Sequence, residues 1–516
     1  MAGKMLSRSV ADDLDRDIRS SSGEREAVLA PFTGEVLHEL PLSTPEDVVA
    51  AAAHARLAQL AWWGAGFAHR RRVLLRAHDL LLERRELLLD AVQSETGKTR
   101  GQAFEEVFQA ATVTRYHAVA AESILRPQRR RSGIPLVLRT TVDARPKGVI
   151  GVITPWNFPL SLAAMDVIPA LAAGNGVVQK ADNQGALSIL ALRRAFIDAG
   201  VPAELWQVVT GAGAVVGTAV TDNCDHVCFT GSTATGRTVA VRAAERLIGA
   251  SLELGGKNPL VVLDDVDPKK AAADAAYACF SSMGQLCVSI ERVIVQRGVA
   301  DEFIEEFASR VRSLTLGAAF DYTSDAGSLT LPSQLENTRR HVADAVAKGA
   351  TLLTGGRPRP ELGPLFYEPT VLTDVTPDMA CHSQETFGPV VSVSIVEDDE
   401  EAIVAANSSE YGLNASVFGR SLRRARRIAD GIDAGSVNIN EGYRATFSAV
   451  DAPMGGVKNS GLGRRNGPEG LMRFVQQRTT AHATGLLQLP RTGGEFAPMA
   501  GLMVTLLVAL RTLRIR

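Results

Sequence analysis

A thiol, a carboxylate and a carboxamide stand out in this chain because of the segments that carry them. Cys287 lies in MGQLCVS, among small and polar neighbours, after the helix-like DAAYACFSS. Glu253 lies in SLELGGKNP, at the end of an apolar strand-like piece and ahead of a glycine pair that lets backbone approach a ligand closely. Asn157, with Trp156, lies in TPWNFP after the strand-like VIGVI, and open α/β sheets collect ligands outside the carboxyl ends of their strands. A lone cysteine is most often a small hydrophobe of the core, so Cys287 gains meaning from the other two. Together they suit carbonyl chemistry. A thiolate adds to the carbonyl carbon, and the tetrahedral oxyanion takes donors from the Asn157 amide and the Cys287 backbone N–H. Loss of hydride to a nicotinamide leaves a thioester, and Glu253 is the candidate base for the water that hydrolyses it, and for the thiol itself.

Regular elements must hold these residues in place. After Pro146, the pieces VIGVITPW, GNGVVQK, LWQVVTG, DHVCFTG and NPLVVLDD alternate with helical stretches such as ALSILALRRAFIDAG. That alternation predicts a parallel sheet with crossover helices, of the kind that binds nucleotides. A second series, with FIEEFASRVRSL and HVADAVAKGA as helices and YEPTVL, VVSVSIV, ASVFG and GSVNIN as strands, predicts a second α/β domain. Residues 46–127 read as helices with apolar positions at helical spacing. Their run Arg70 to Arg72 reads as a solvated face or snorkelled helix edge, as does Arg129 to Arg131.

The bulk properties narrow the function. A chain of 516 residues, 46% hydrophobic and 22% charged, exceeds one core. Its net charge of -2 argues against a broad nucleic-acid face. Five scattered cysteines fit a reducing compartment better than a disulfide framework, and the N-terminus has no apolar signal region, so a cytoplasmic location is expected. The apolar stretch Ala497 to Leu510, followed by Arg511, Arg514 and Arg516, is short for a bilayer span. Packing on a partner subunit or on the chain's own surface is the first reading, an interfacial membrane helix the second, disorder the third.

Longer motifs connect these pieces. Leu252-Glu253-Leu254-Gly255-Gly256-Lys257 and Gly284-Gln285-Leu286-Cys287, with Glu253 and Cys287 34 positions apart, resemble the glutamate and cysteine motifs of the aldehyde dehydrogenase superfamily. Thr154 to Pro159, Phe229 to Gly236, Glu385 to Val390 and Pro453 to Gly456 extend the resemblance over about residues 30 to 485. It implies an α/β aldehyde dehydrogenase fold: a Rossmann-like NAD(P)-binding domain (20–127 and 147–253), an α/β catalytic domain (254–450) and a small β oligomerisation arm (128–146 and 472–486), with 487–516 as a C-terminal apolar extension. It further implies a nucleotide site built from Thr154, Pro155, Trp156, Lys180, Asn183, Gly213, Gly231, Ser232, Leu254, Glu385 and Phe387. In that site Ser232 opens a helix toward the pyrophosphate, whose charge the helix N-terminus favours. GAGAVVG at Gly211 to Gly217 is not spaced as a standard dinucleotide loop.

Cofactor and substrate follow from departures within the resemblance. Many NAD-preferring relatives carry Lys-Pro-x-Glu where this chain has Lys180-Ala181-Asp182-Asn183. A neutral Asn183 does not repel a 2′-phosphate, so NADP is favoured and NAD is the alternative. FTGSTATG, GQLCVSIERV, GPLFYEPTVL, YGLNASV and GRRNGPEGL are similar to actinobacterial-type succinate-semialdehyde dehydrogenases. The arginines expected to hold such a substrate's carboxylate are replaced by Met165 and Ser281. Arg444 is either their substitute or a solvated loop residue. A neutral aliphatic or aromatic aldehyde is the second substrate reading, and a non-catalytic paralogue the third. Strand-like PLVLRTTVDARP (Pro135 to Pro146) and RFVQQRTTAHAT alternate as exposed edges do, which predicts a homodimer or homotetramer.

Overall fold

The computed structural model describes residues 3–133, 137–486 and 488–514. Two open sheets organise the chain. The first runs in the order Gly461–Leu462, Gly249–Glu253, His226–Thr230, Val149–Thr154, Gly176–Ala181, Trp206–Val209. Its last five strands are mutually parallel, and Gly461–Leu462 is an antiparallel addition beside Gly249–Glu253. The central strands are buried on both faces, which is why they read as unbroken apolar runs rather than alternating ones. From Val149–Thr154 the chain builds outward to Trp206–Val209, then returns to lay His226–Thr230 on the other side of its starting strand. The order therefore reverses between Thr154 and Thr230, and a crevice opens there, beyond the carboxyl ends.

The second sheet has seven strands, ordered Thr351–Thr354, Thr370–Thr373, Val390–Val396, Ile290–Gln296, Asn258–Val262, Asn414–Phe418, Ser436–Ile439. All are parallel except Thr351–Thr354. NPLVVLDD thus belongs to this sheet and not to the first, whose outer parallel strand is Gly249–Glu253. Apolarity alone could not assign it, because both sheets bury their central strands.

Buried carboxylates fasten the helices that flank the first sheet. Glu106 accepts the Leu160 and Ser161 N–H groups, each at 3.0 Å, at the start of helix Pro159–Ala172. Glu95 accepts from Leu187 N, Ser188 N and Ser188 Oγ at the start of helix Ala186–Ala199. Both stand where helix N-termini leave unpaired donors and a positive dipole end. Arg70 departs from the solvated reading of its run. It is 2% exposed, donates to the carbonyls of Ala172, Trp62 and Trp63, and lies over the Trp63 and Phe67 rings. Arg71 and Arg72 face water as expected.

A three-stranded antiparallel sheet stands apart from both cores. Leu138–Pro146 is its central strand, with Gln128–Arg130 on one side and Val475–Ala483 on the other. The edge expected at Pro135 to Pro146 is therefore paired within the chain, Pro135 and Leu136 themselves lying outside the described residues. Val475–Ala483 is the outer strand and is exposed beyond its first residue. At the C-terminus, helix Gly493–Thr512 has no buried residue, and Met499, Met503 and Leu510 along one stripe are only half-buried.

Candidate active site

The crevice at the reversal of the first sheet holds most of the residues singled out by the sequence. A cleft of about 300 Å³ is lined by Pro155, Trp156, Asn157, Thr230, Gly231, Ser232, Glu253, Leu254, Gly255, Cys287, Gln334, Asn337, Glu385, Thr386 and Phe387. Strand register brings these segments to one level. Thr230 pairs with Glu253 and Ile153 with Phe229, so the turns after three neighbouring strands open side by side.

Cys287 reaches the cleft from the second sheet, just before strand Ile290–Gln296. The preceding backbone is unusual: Ser282, Met283 and Gly284 have φ of 49°, 56° and 69°. Gly284 is required twice over, for its left-handed backbone and because a Cβ there would overlap the Gly388 carbonyl. Asn258 clamps the loop from below, donating to the carbonyls of Cys287 at 2.8 Å and Ser289 at 2.7 Å. Asn157 holds it from the side, donating to the Gln285 carbonyl at 2.9 Å. An amide carries two N–H donors, so the second remains to meet an oxyanion. Of the five cysteines, all free, Cys287 is the one that is not fully buried.

The electrostatics fit a concealed nucleophile beside a tuned base. Burial, then the neighbouring Glu253 charge, pushes the Cys287 thiol up to about 12, so it is protonated at neutral pH. Burial raises Glu253 to about 7, against the opposing pull of Arg465 and Arg473. Those two guanidiniums converge on Asp166, which Arg465 meets at 3.0 and 2.5 Å and Arg473 at 2.6 Å. Asp166→Ala would leave two buried cations uncompensated. We expect it to cost about 3–5 kcal/mol of stability, read by urea unfolding.

The opposite wall is built around a second buried ion pair. Glu291 binds Lys257 at 2.5 Å and accepts the N–H groups of Thr386 and Phe387, which positions the segment bearing Glu385. Glu385 accepts from Gly256 N at 2.9 Å and lies where a Cβ on Gly255 would stand, so the glycine pair makes room for this carboxylate. Phe387 meets Trp156 edge-on, with centroids 5.7 Å apart, across the cleft. Ser232 caps helix Thr233–Glu245, accepting from Thr235 N at 3.3 Å. The free N–H groups of that helix end face the crevice and suit a pyrophosphate.

The remaining predicted residues lie elsewhere. Thr154 accepts a hydrogen bond from Gln179 beneath the cleft. Lys180 is buried at the end of the neighbouring strand, where desolvation lowers its pKa. Asn183 accepts from Gly211 N at 2.8 Å, joining its turn to the loop that leads to Gly213, where a Cβ would meet open space. Asp182 accepts from Gln184 N within its own turn. Arg444 is not in the cleft lining; it pairs with Glu441 at 2.9 Å and lies over the Tyr277 ring. Sequence reasoning missed Asn258, Asp166, Arg465, Gln334 and Asn337. The first and third stood inside motifs already noticed, whereas Asp166, Gln334 and Asn337 carried no local signal.

Comparisons with known proteins show what the whole chain is similar to. A Mycolicibacterium smegmatis protein named "Putative succinate-semialdehyde dehydrogenase", with NADP(+) in its name, is 48% identical over 474 residues, covering 92% of this chain and 91% of its own. An Acinetobacter baylyi succinate semialdehyde dehydrogenase is 34% identical, covering 89% of this chain and 95% of its own. Among solved structures, an E. coli NADP-dependent enzyme superposes with a TM-score of 0.86 at 33% identity, covering 90% and 96% of the two chains. Staphylococcus aureus betaine aldehyde dehydrogenase in complex with NAD+ gives 0.87 at 31%, covering 92% and 94%. The aldehyde dehydrogenase family model matches residues 18–480, and this chain therefore belongs to the aldehyde dehydrogenase family.

Proposed function

We propose that the chain oxidises succinate semialdehyde to succinate with NADP, or less readily NAD, through a covalent adduct on Cys287. The observation that carries the reading is the convergence of Cys287, Glu253 and Asn157 in one cleft with Ser232, Glu385 and Phe387. Glu253, its pKa raised to about 7 by burial, takes the thiol proton in its ionised form as sulfur adds to the carbonyl carbon. The free Asn157 N–H and the Cys287 backbone N–H receive the oxyanion. A bound nicotinamide nucleotide supplies the two-electron acceptor for this chemistry. Glu253, once it has passed the first proton to solvent, deprotonates the water that attacks the thioester carbonyl, and the thiolate leaves and takes that proton back as the carboxylate product forms.

The donor set fits such a nucleotide: the helix end behind Ser232 for the pyrophosphate, Glu385 for a ribose hydroxyl, Lys180 and Asn183 for the adenosine ribose. Asn183 presents no charge, and Asp182 is engaged by its own turn. Asn183→Glu would place a carboxylate against a 2′-phosphate. We expect the preference to swing toward NAD by about tenfold or more, read as the ratio of kcat/KM for the two nucleotides.

Succinate semialdehyde is supported by the names of the relatives. A neutral aldehyde is the second reading, because Met165 and Ser281 stand at the two positions where arginines were expected, and Arg444 is engaged by Glu441. Comparing kcat/KM for succinate semialdehyde and butanal separates them. A tenfold or greater preference for the charged aldehyde supports the first; equal or better use of butanal supports the second. We further propose that the exposed strand Val475–Ala483 pairs with another copy, as an unpaired edge invites.

A further inference from the structure

We propose that helix Gly493–Thr512 inserts into a lipid bilayer and tethers the folded body to a membrane surface. Its 20 residues, none buried, carry a mean hydropathy of 1.6 over their most apolar window. At 1.5 Å per residue the helix is about 30 Å long, and the uncharged run 496–510 makes about 22 Å of it, against a hydrocarbon core of about 30 Å. Residues 497–510, taken alone, were too short for this. In the folded helix Glu495 and Arg511 bound the uncharged run, so insertion places both at the interfaces, where Arg511 snorkels and the bilayer thins locally to match the shorter apolar length.

The distribution of polarity selects lipid over protein as the occupant. A helix that docks in a groove, or lies flat on a membrane, keeps a polar face toward water. Here, between Glu495 and Arg511, Thr505 is the sole hydrogen-bonding side chain, and its hydroxyl donates to the Gly501 carbonyl at 2.9 Å. Thr512 is satisfied likewise by Val508. Every face is apolar, and beyond Pro498, whose missing N–H leaves the Gly494 carbonyl at the charged N-terminal end, the helical backbone pairs its own groups, as a hydrocarbon environment demands. The charges stand at the ends: Arg491 and Glu495 before the apolar run, Arg511 and Arg514 after it, where their guanidiniums reach anionic headgroups.

The helix is also separable from the enzyme. The family match ends at residue 480, the outer strand of the arm at Ala483, and the helix starts at Gly493. Its removal therefore leaves both sheets and the cleft untouched.

Flotation with phosphatidylcholine vesicles, with and without phosphatidylglycerol, tests the proposal on three proteins: the full chain, a chain ending at Arg491, and a full-length Leu502→Asp/Leu506→Asp variant. Aldehyde turnover, expected within about twofold in all three, reports that each is folded. The full chain should float with the vesicles and stay with them through high salt and an alkaline carbonate wash, while the other two remain in the dense fraction. Failure of the full chain to float, or its release by salt alone, would overturn insertion. A loss of oligomer size on truncation without flotation of the full chain would make the helix a contact between copies instead.

Discussion

Cys287→Ser is expected to lower aldehyde turnover by about ten-thousand-fold or more while nucleotide binding stays within about twofold. The size of the effect follows from the covalent route, in which an alkoxide precursor far weaker than a thiolate replaces sulfur and no thioester forms. The structure makes the residue hard to replace. Its thiol is held near 12 by burial, so its reactivity depends on proton transfer within the cleft rather than on a standing thiolate. Asn258 and Asn157 fix the loop that aims it. Turnover is followed by reduced-nucleotide absorbance and binding by fluorescence titration. Variant turnover within about tenfold of the parent would sink the nucleophile assignment. The other four cysteines are buried, so none stands ready to substitute.

Glu253→Gln should leave addition to the aldehyde partly intact and block deacylation. Loss of a general base costs about 10²–10⁴-fold in kcat, and the acyl-enzyme should accumulate to a mass visible on the intact protein. The pH dependence gives the second readout. The base works in its ionised form, and burial has raised its pKa from 4.5 to about 7. Turnover of the parent should therefore fall as pH drops through 7, about tenfold per unit well below it. The glutamine variant should lack that acid limb. Electrostatics predicts a third change of opposite sense. Because the Glu253 charge raises the Cys287 pKa, its removal should shift the alkylation profile of the thiol toward lower pH. A parent profile flat through pH 7, or a variant with no acyl-enzyme, would assign the base elsewhere.

Much of this protein was legible before folding because its chemistry is concentrated at element ends. Cys287, Glu253 and Asn157 each follow or precede an apolar run next to glycine or proline, and those breaks mark the turns where side chains face a crevice. The parallel alternation was legible for the same reason, since strands buried on both faces read as short continuous apolar runs. What local pattern could not specify was pairing. Hydrophobicity is non-directional, so nothing within NPLVVLDD assigns it to one sheet over the other. Nothing within Leu138–Pro146 says that both its edges are covered. Long-range polar contacts were invisible likewise: Asp166 meets Arg465 299 positions away, and Asn258 reaches the nucleophile loop through a carbonyl, which every residue possesses.

By itself, then, the sequence determined the reacting groups, the family motifs around them and an apolar C-terminal segment, because each depends on residue type and short spacing. Tertiary structure decided which groups share a cleft, that Glu253 is raised to about 7 and Cys287 to about 12, and that Arg70 is buried whereas Arg444 is engaged by Glu441. It also showed that no residue of the terminal helix is buried. These are properties of desolvation and of neighbours distant along the chain, and they come into existence only when the sheets pack.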